Sequence, residues 1–127
     1  MAPVDIEKIR KFCLGLPDTT EDIQWGNDLL FRIGGKIYAG ASLDPASPVR
    51  LSFKCTREEF AELIERAGIV PAPYVARYHW MALERWDALG EREIERLVRD
   101  SYEMIRAKLP KRALEKQARK RAPRPRR

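Results

Sequence analysis

The sequence predicts an α+β domain in two layers, with an antiparallel sheet flanked by helices. Apolar residues near both ends of the chain recur every three or four positions, as in amphipathic helices. The middle of the chain instead holds short runs of alternating apolar and polar residues joined by turn signals. The resulting order is one helix, three or four strands, a helix, a strand and a helix. This segregation favours an antiparallel sheet over a doubly wound parallel one.

The first predicted element is a helix over residues 5–16. Its apolar stripe consists of Ile6, Ile9, Cys13 and Leu16. Pro17 ends the helix, because proline restricts the residue before it and cannot continue the hydrogen-bond pattern. A polar stretch follows and becomes strand-like at 23–25, just before the turn pair Gly26-Asn27.

The next predicted element is a hairpin around Gly34-Gly35. Glycine pairs favour the two-residue turns with positive φ that close hairpins, and extended runs flank this pair at 29–33 and 36–41. Counting back from the turn pairs Ile33 with Lys36 and places Phe31 opposite Tyr38. Prolines and turn formers then indicate a loop at 44–48.

A strand and a helix follow this loop. Val49, Leu51, Phe53 and Cys55 alternate with Arg50, Ser52 and Lys54, which predicts a strand with one buried face. Thr56 and Glu59 match a capping box, so a helix begins there. This helix is predicted to run for about three turns, because Gly68 suits the left-handed residue that closes a helix.

The last part of the domain is predicted to hold one more strand and a long helix. Pro71 and Pro73 exclude a central strand around them, whereas residues 78–85 again alternate. The final helix ends or bends at Pro110. Its buried face is predicted to consist of Ile94, Leu97, Val98, Ser101, Ile105 and Leu109.

Charge is distributed unevenly along the 127 residues, whose net charge is +6. Residues 111–127 hold nine basic side chains and one acidic one, a net charge of +8, so residues 1–110 carry −2. A chain of this length buries enough surface for one core. We therefore predict a single domain over 1–110 and a basic tail over 111–127, helical at first and then disordered.

Few residues could form a catalytic or cofactor site. His79 is the only histidine, and Cys13 and Cys55 lie far apart without a Cys-x-x-Cys pattern. No glycine-rich phosphate-binding pattern follows a predicted strand. We expect a protein that is not an enzyme and has no metal site or cofactor. A nucleophilic pair of Cys55 and His79 is the alternative. Cys55, however, lies on the same side of its predicted strand as the apolar Leu51 and Phe53, which favours a buried, unreactive thiol.

The chain shows no signal for a membrane. Its uncharged runs are much shorter than the roughly 18 apolar residues of a spanning helix, and its first residues lack a signal-peptide pattern. We expect a cytoplasmic protein without membrane contact that is a monomer or a weak dimer.

Five short motifs occur in a fixed order between about residues 5 and 112. They are Gly26-Asn27-Asp28-Leu29-Leu30-Phe31-Arg32-Ile33-Gly34-Gly35-Lys36, Phe53-Lys54-Cys55, Tyr78-His79-Trp80, Ser101-Tyr102 and Leu109-Pro110-Lys111. Together they resemble the MmcQ/YjbR family of small bacterial proteins. The resemblance implies an antiparallel sheet flanked by helices, a fold compared with frataxin-like and secretion-chaperone-like folds, and a DNA-binding role. It implies no catalytic or base-reading residues. The sequence departs from the family at Trp25, where phenylalanine is usual, and in its longer basic tail.

These observations lead to two hypotheses about function. The first is DNA binding of low sequence specificity, mainly through the tail and secondarily through the strand region. Its candidate residues are Arg50, Lys54, Arg77, His79, Trp80, Lys111, Arg112, Lys116, Arg119, Lys120 and Arg121. The alternative is a protein-interaction or chaperone-like module, because the domain is slightly acidic and its sheet could offer a strand or groove to a partner.

Overall fold

The computed structural model describes residues 4–72 and 78–112. These residues form three helices and six strands, and the predicted α+β class is confirmed. In chain order the elements are α1 (Ile6–Leu14), β1 (Thr19–Gln24), β2 (Asp28–Ile33), β3 (Lys36–Ser42), β4 (Leu51–Lys54), α2 (Arg57–Leu63), β5 (Ile69–Pro71), β6 (Trp80–Leu83) and α3 (Glu91–Ala107).

The six strands form one antiparallel sheet in the order β1-β2-β3-β4-β6-β5. Helix α3 packs across β2, β3 and β4, and α1 packs against β1 and α3. The core lies between these helices and the sheet, where the largest fully buried side chains include Tyr38, Phe31, Phe53, Ile9 and Ile94. All three described helices contribute side chains to this core, so none of them lies on the other face of the sheet.

The two predicted amphipathic stripes are confirmed in the long helices. Ile9 and Cys13 are buried in α1, and the buried face of α3 includes Ile94 and Leu97. Each apolar side chain removed from water in this way stabilises the fold by roughly 1.5–3 kcal/mol before conformational entropy is subtracted. None of the described helices is long and apolar enough to cross a membrane.

Helix α2 begins as predicted but is shorter than predicted. The Thr56 hydroxyl accepts the Glu59 amide hydrogen at 3.1 Å, which is the first half of a capping box. The Glu59 carboxylate accepts instead from the Thr56 hydroxyl and pairs with Arg96 at 3.2 Å. The helix ends at Leu63 after two turns, and Gly68, with φ of +84°, lies in the turn that leads into β5.

The predicted hairpin is present, but one pair in its register is wrong. Gly34 and Gly35 both have positive φ, and Ile33 pairs with Lys36. Phe31, however, faces Ala39, because a bulge makes Tyr38 the extra residue of β3. The bulge turns the Tyr38 side chain into the core, where its hydroxyl lies 2.8 Å from the Thr19 hydroxyl and donates to the Cys13 carbonyl at 3.3 Å.

The region between α2 and α3 holds two strands where one was predicted. β5 is an edge strand, so Pro71 at its end interrupts no central ladder. The predicted strand over 78–85 is shorter than expected and begins at Trp80. His79 has φ of +67°, a left-handed conformation that extended backbone cannot include.

Candidate functional site

Arg50 lies beside the open face of the sheet and braces the loop between β3 and β4. Its Nη2 donates to the Asp44 carbonyl at 3.1 Å and to the Ser47 carbonyl. Its Nε and Nη1 have no hydrogen-bond partner within the described part of the chain. The Nη2 group therefore stabilises the loop, while the N–H groups of Nε and Nη1 remain available to bind a ligand.

Lys54, the second predicted cation of this region, is also tied to the protein. Its Nζ donates to the Tyr78 carbonyl. Burial and then the nearby Lys108 ammonium lower the pKa of Lys54 from its ordinary value. The hydrogen bond to the Tyr78 carbonyl already uses one donor of this ammonium, so a phosphate would compete with it.

His79 and Cys55 lie together, but not as a nucleophile and its base. The His79 carbonyl accepts from the Cys55 amide at 2.9 Å, and the Cys55 thiol lies 3.5 Å from the same oxygen. The imidazole instead packs edge-on against Phe60, with ring centroids 5.7 Å apart. Burial, followed by the charge of Glu59, raises the pKa of Cys55 to about 11. The thiol is thus protonated at neutral pH. It donates to a carbonyl group, which is too weak a base to remove its proton.

The remaining predicted site residues fall into three places. Trp80 faces Lys54 across the β4–β6 ladder and is half-buried. Lys111 and Arg112 are exposed just after α3. Arg77, Lys116, Arg119, Lys120 and Arg121 lie outside the described residues. The structure therefore brings together Lys54, His79 and Trp80.

A groove of about 680 Å³ crosses the open face of the sheet, and the sequence analysis did not identify it. Three neighbouring strands supply its floor through one cross-strand row, in which Leu30 faces Gly40 and Gly40 faces Ser52. Gly40 has no side chain, so the Leu30 side chain lies over it, and Ser52 continues the floor with a small side chain. Its volume falls within the range of small-molecule pockets. Each small residue is unremarkable within its own strand, so only the register between strands could have revealed the row.

Two tryptophans frame this groove. Trp80 lines it from β6, and Trp25 lines it from the β1–β2 turn. Trp25 is 73% exposed and has φ of +52°, a conformation that is rare for a bulky residue. Non-glycine residues held in this strained conformation cluster at functional sites, which is consistent with a binding role for Trp25.

The groove carries one acidic and one basic side chain along one border. Asp28 pairs with Ser42 on the β2–β3 ladder, and the Ser42 amide donates to the Arg50 carbonyl at 3.0 Å. Asp28 and Arg50 therefore lie two strands apart, about 10 Å between their backbones. They form no ion pair with each other, and the Asp28 carboxylate has no hydrogen-bond partner in residues 4–72 and 78–112. Within the same residues, no group of three or more metal-ligating side chains comes together.

Comparisons with known proteins agree with this fold. A family model described as YjbR matches residues 14–104. The crystal structure of a Deinococcus radiodurans protein with a DUF419 domain is similar with a TM-score of 0.77 at 24% identity, over 90% of this chain and 88% of that one. The crystal structure of a Pseudomonas syringae protein is similar with a TM-score of 0.67 at 23% identity, over 80% of this chain and 98% of that one. No curated protein matches the chain.

Proposed function

The chain belongs to the YjbR family, and we propose that it binds DNA, holding the phosphate backbone mainly through residues 111–127 with little sequence preference. The observation that carries this proposal is the separation of charge, with +8 in the tail and −2 in the rest of the chain. Lysine and arginine release the counterions of the phosphates that they neutralise, so a dense basic segment favours binding to any sequence.

The contacts within the domain support the tail as the main element. Arg50 and Lys54 each donate to carbonyl groups of the protein, so a phosphate would compete with existing partners. Lys111 and Arg112 are exposed and begin the basic segment. In this proposal the domain carries the tail and adds only minor phosphate contacts.

The test is a salt titration of duplex DNA binding by the full chain. Five to eight phosphate contacts give a slope of about −4 to −7 for log affinity against log salt concentration. Replacing Lys116, Arg119 and Lys120 by glutamine is expected to reduce this slope by about 2 to 3, because each lost contact removes about 0.9.

A matched variant controls for net charge. Replacing the exposed Lys36, Arg57 and Arg92 by glutamine also removes three charges, but from the domain. This variant is expected to keep a slope within about 1 of the unmodified chain. Equal loss in the two variants, or a shallow slope for the unmodified chain, would contradict binding through the tail.

We further propose that the protein acts by binding rather than by catalysis, as a monomer or a weak dimer. The contacts of Cys55 support binding rather than catalysis, because its thiol is buried against a carbonyl group instead of an imidazole. A stoichiometric covalent adduct of Cys55 with a small electrophile at neutral pH would contradict it.

The second candidate function is binding of an apolar partner on the open face of the sheet. The groove between Trp25 and Trp80 favours it, because its lining is mostly apolar. A partner held by apolar contacts stays bound at salt concentrations that release DNA, since screening weakens charge interactions but not apolar burial. Retention of ligand in high salt, and its loss when Trp25 is replaced by alanine, would distinguish this function from DNA binding.

A further inference from the structure

The charges at the border of the groove suggest what kind of apolar ligand it takes. We propose that the groove binds a short apolar peptide of about three residues with free termini. The ammonium would lie at Asp28, the carboxylate at Arg50, and the side chains over Leu30, Gly40 and Ser52. This inference rests on the second candidate function, whose ligand class it specifies, and is independent of DNA binding.

The spacing of the two charges fits such a ligand. Asp28 and Arg50 are separated by the strand that carries Ser42, so their backbones are about 10 Å apart. An extended chain advances about 3.3–3.6 Å per residue, so three residues span about the same length. A single amino acid is too short to contact both groups with its own ammonium and carboxylate.

The chemistry of the two groups is complementary to peptide termini. The Asp28 carboxylate accepts only, and within the described residues it has no partner of its own, so an ammonium would satisfy it. Arg50 keeps Nε and Nη1 available while Nη2 holds the loop. A carboxylate that accepts from these donors forms a charge-assisted hydrogen bond, which is stronger than a bond between neutral groups.

The row of small residues next to this border would receive the side chains. At Gly40 the Leu30 side chain lies over the backbone, because a Cβ at position 40 would lie 3.1 Å from its Cδ2, so the ligand side chains would rest on Leu30 and Ser52. Trp25 and Trp80 supply large flat apolar surfaces at the edges. The volume of about 680 Å³ is large enough for a peptide of three apolar residues.

The experiment is a calorimetric titration of the full chain with the tripeptide Leu-Leu-Leu and two capped forms. Acetylation removes the ammonium charge and amidation removes the carboxylate charge, so each cap is expected to weaken binding by about tenfold or more. Amidation tests the contact with Arg50 without a substitution that would release the loop between β3 and β4.

Three variants assign the effects to the groove. In the Asp28→Asn variant the peptide ammonium has no carboxylate to pair with. Acetylation, which removes this ammonium, is therefore expected to change affinity less than about twofold. Ser52→Phe fills the floor and is expected to abolish binding. Asp100→Asn is the control, because it makes the same chemical change in α3, away from the groove. It is expected to leave all affinities unchanged.

The amphipathic anionic dye 1-anilinonaphthalene-8-sulfonate, whose rings are apolar, separates failure of this inference from failure of the function on which it rests. If the dye binds, Ser52→Phe abolishes its binding and the tripeptide does not bind, the peptide assignment is wrong while an apolar site remains. If neither probe binds, both are wrong. Equal affinity for the free and capped tripeptides would also overturn the roles of Asp28 and Arg50.

Discussion

Ser101 shows how one polar residue can fix the position of a helix on a sheet. Its side chain is fully buried in the apolar face of α3. The hydroxyl donates to the Tyr38 carbonyl at 2.7 Å and accepts from the Lys54 amide at 3.0 Å. These two backbone groups belong to β3 and β4, and neither can be exposed to water while α3 is in place. The serine therefore satisfies polar groups that an apolar residue would leave without partners.

We predict that Ser101→Ala lowers the free energy of unfolding by about 1–3 kcal/mol, because it leaves a buried amide and a buried carbonyl each without a partner. Urea denaturation followed by circular dichroism measures this change. Ser52→Ala is the control, since Ser52 lies on the open face and its hydroxyl has no hydrogen bond to another described residue. A loss below about 0.5 kcal/mol in Ser101→Ala would show that other groups can satisfy the two strands.

The hairpin of β2 and β3 shows which features of an element can be predicted from its sequence. Gly34-Gly35 indicated a two-residue turn and the pairing next to it, because few other residues adopt two successive positive φ angles. The bulge at Tyr38 was missed because its cause lies outside the hairpin. The tyrosine hydroxyl reaches Thr19 in β1 and Cys13 in α1, and neither contact has a local signal.

The same hairpin provides a test of backbone strain. We predict that Gly35→Ala lowers the free energy of unfolding by about 1–2 kcal/mol, because φ of +84° forces the new Cβ toward the backbone while no other atom lies within 4 Å. Gly35→Asn is expected to cost less, since asparagine tolerates the left-handed region. Urea denaturation of the two variants gives the comparison, and equal losses would indicate that side-chain contacts rather than φ determine the cost.

At the scale of the whole molecule, the layers were predictable from the sequence and the groove was not. Helix α3 and strand β4 carry clear 3.6-residue and two-residue patterns, so their buried faces follow from the sequence. The groove depends on the register that places Gly40 between Leu30 and Ser52, and register arises from contacts across strands. The cations Arg50 and Lys54 were predicted as candidate DNA contacts, although their carbonyl partners only become apparent once the loops are folded.

The division of charge also implies a division of stability between domain and tail. We predict that a chain ending at Pro110 unfolds with a free energy within about 0.5 kcal/mol of the full chain, because residues beyond 110 are rich in charge and poor in apolar side chains.

Leu109, just before this boundary, is expected to contribute to the stability of the domain. It is partly buried against the core, and a Cβ at Gly34 would lie 2.6 Å from its Cδ1. Leu109→Ala in the full chain is therefore expected to cost about 1–2 kcal/mol, less than a fully buried leucine. Parallel urea titrations of the two proteins test the boundary. A larger loss on truncation than in Leu109→Ala would mean that the tail packs on the domain, and the proposal that the domain merely carries a DNA-binding tail would then have to be replaced by one in which the two fold together.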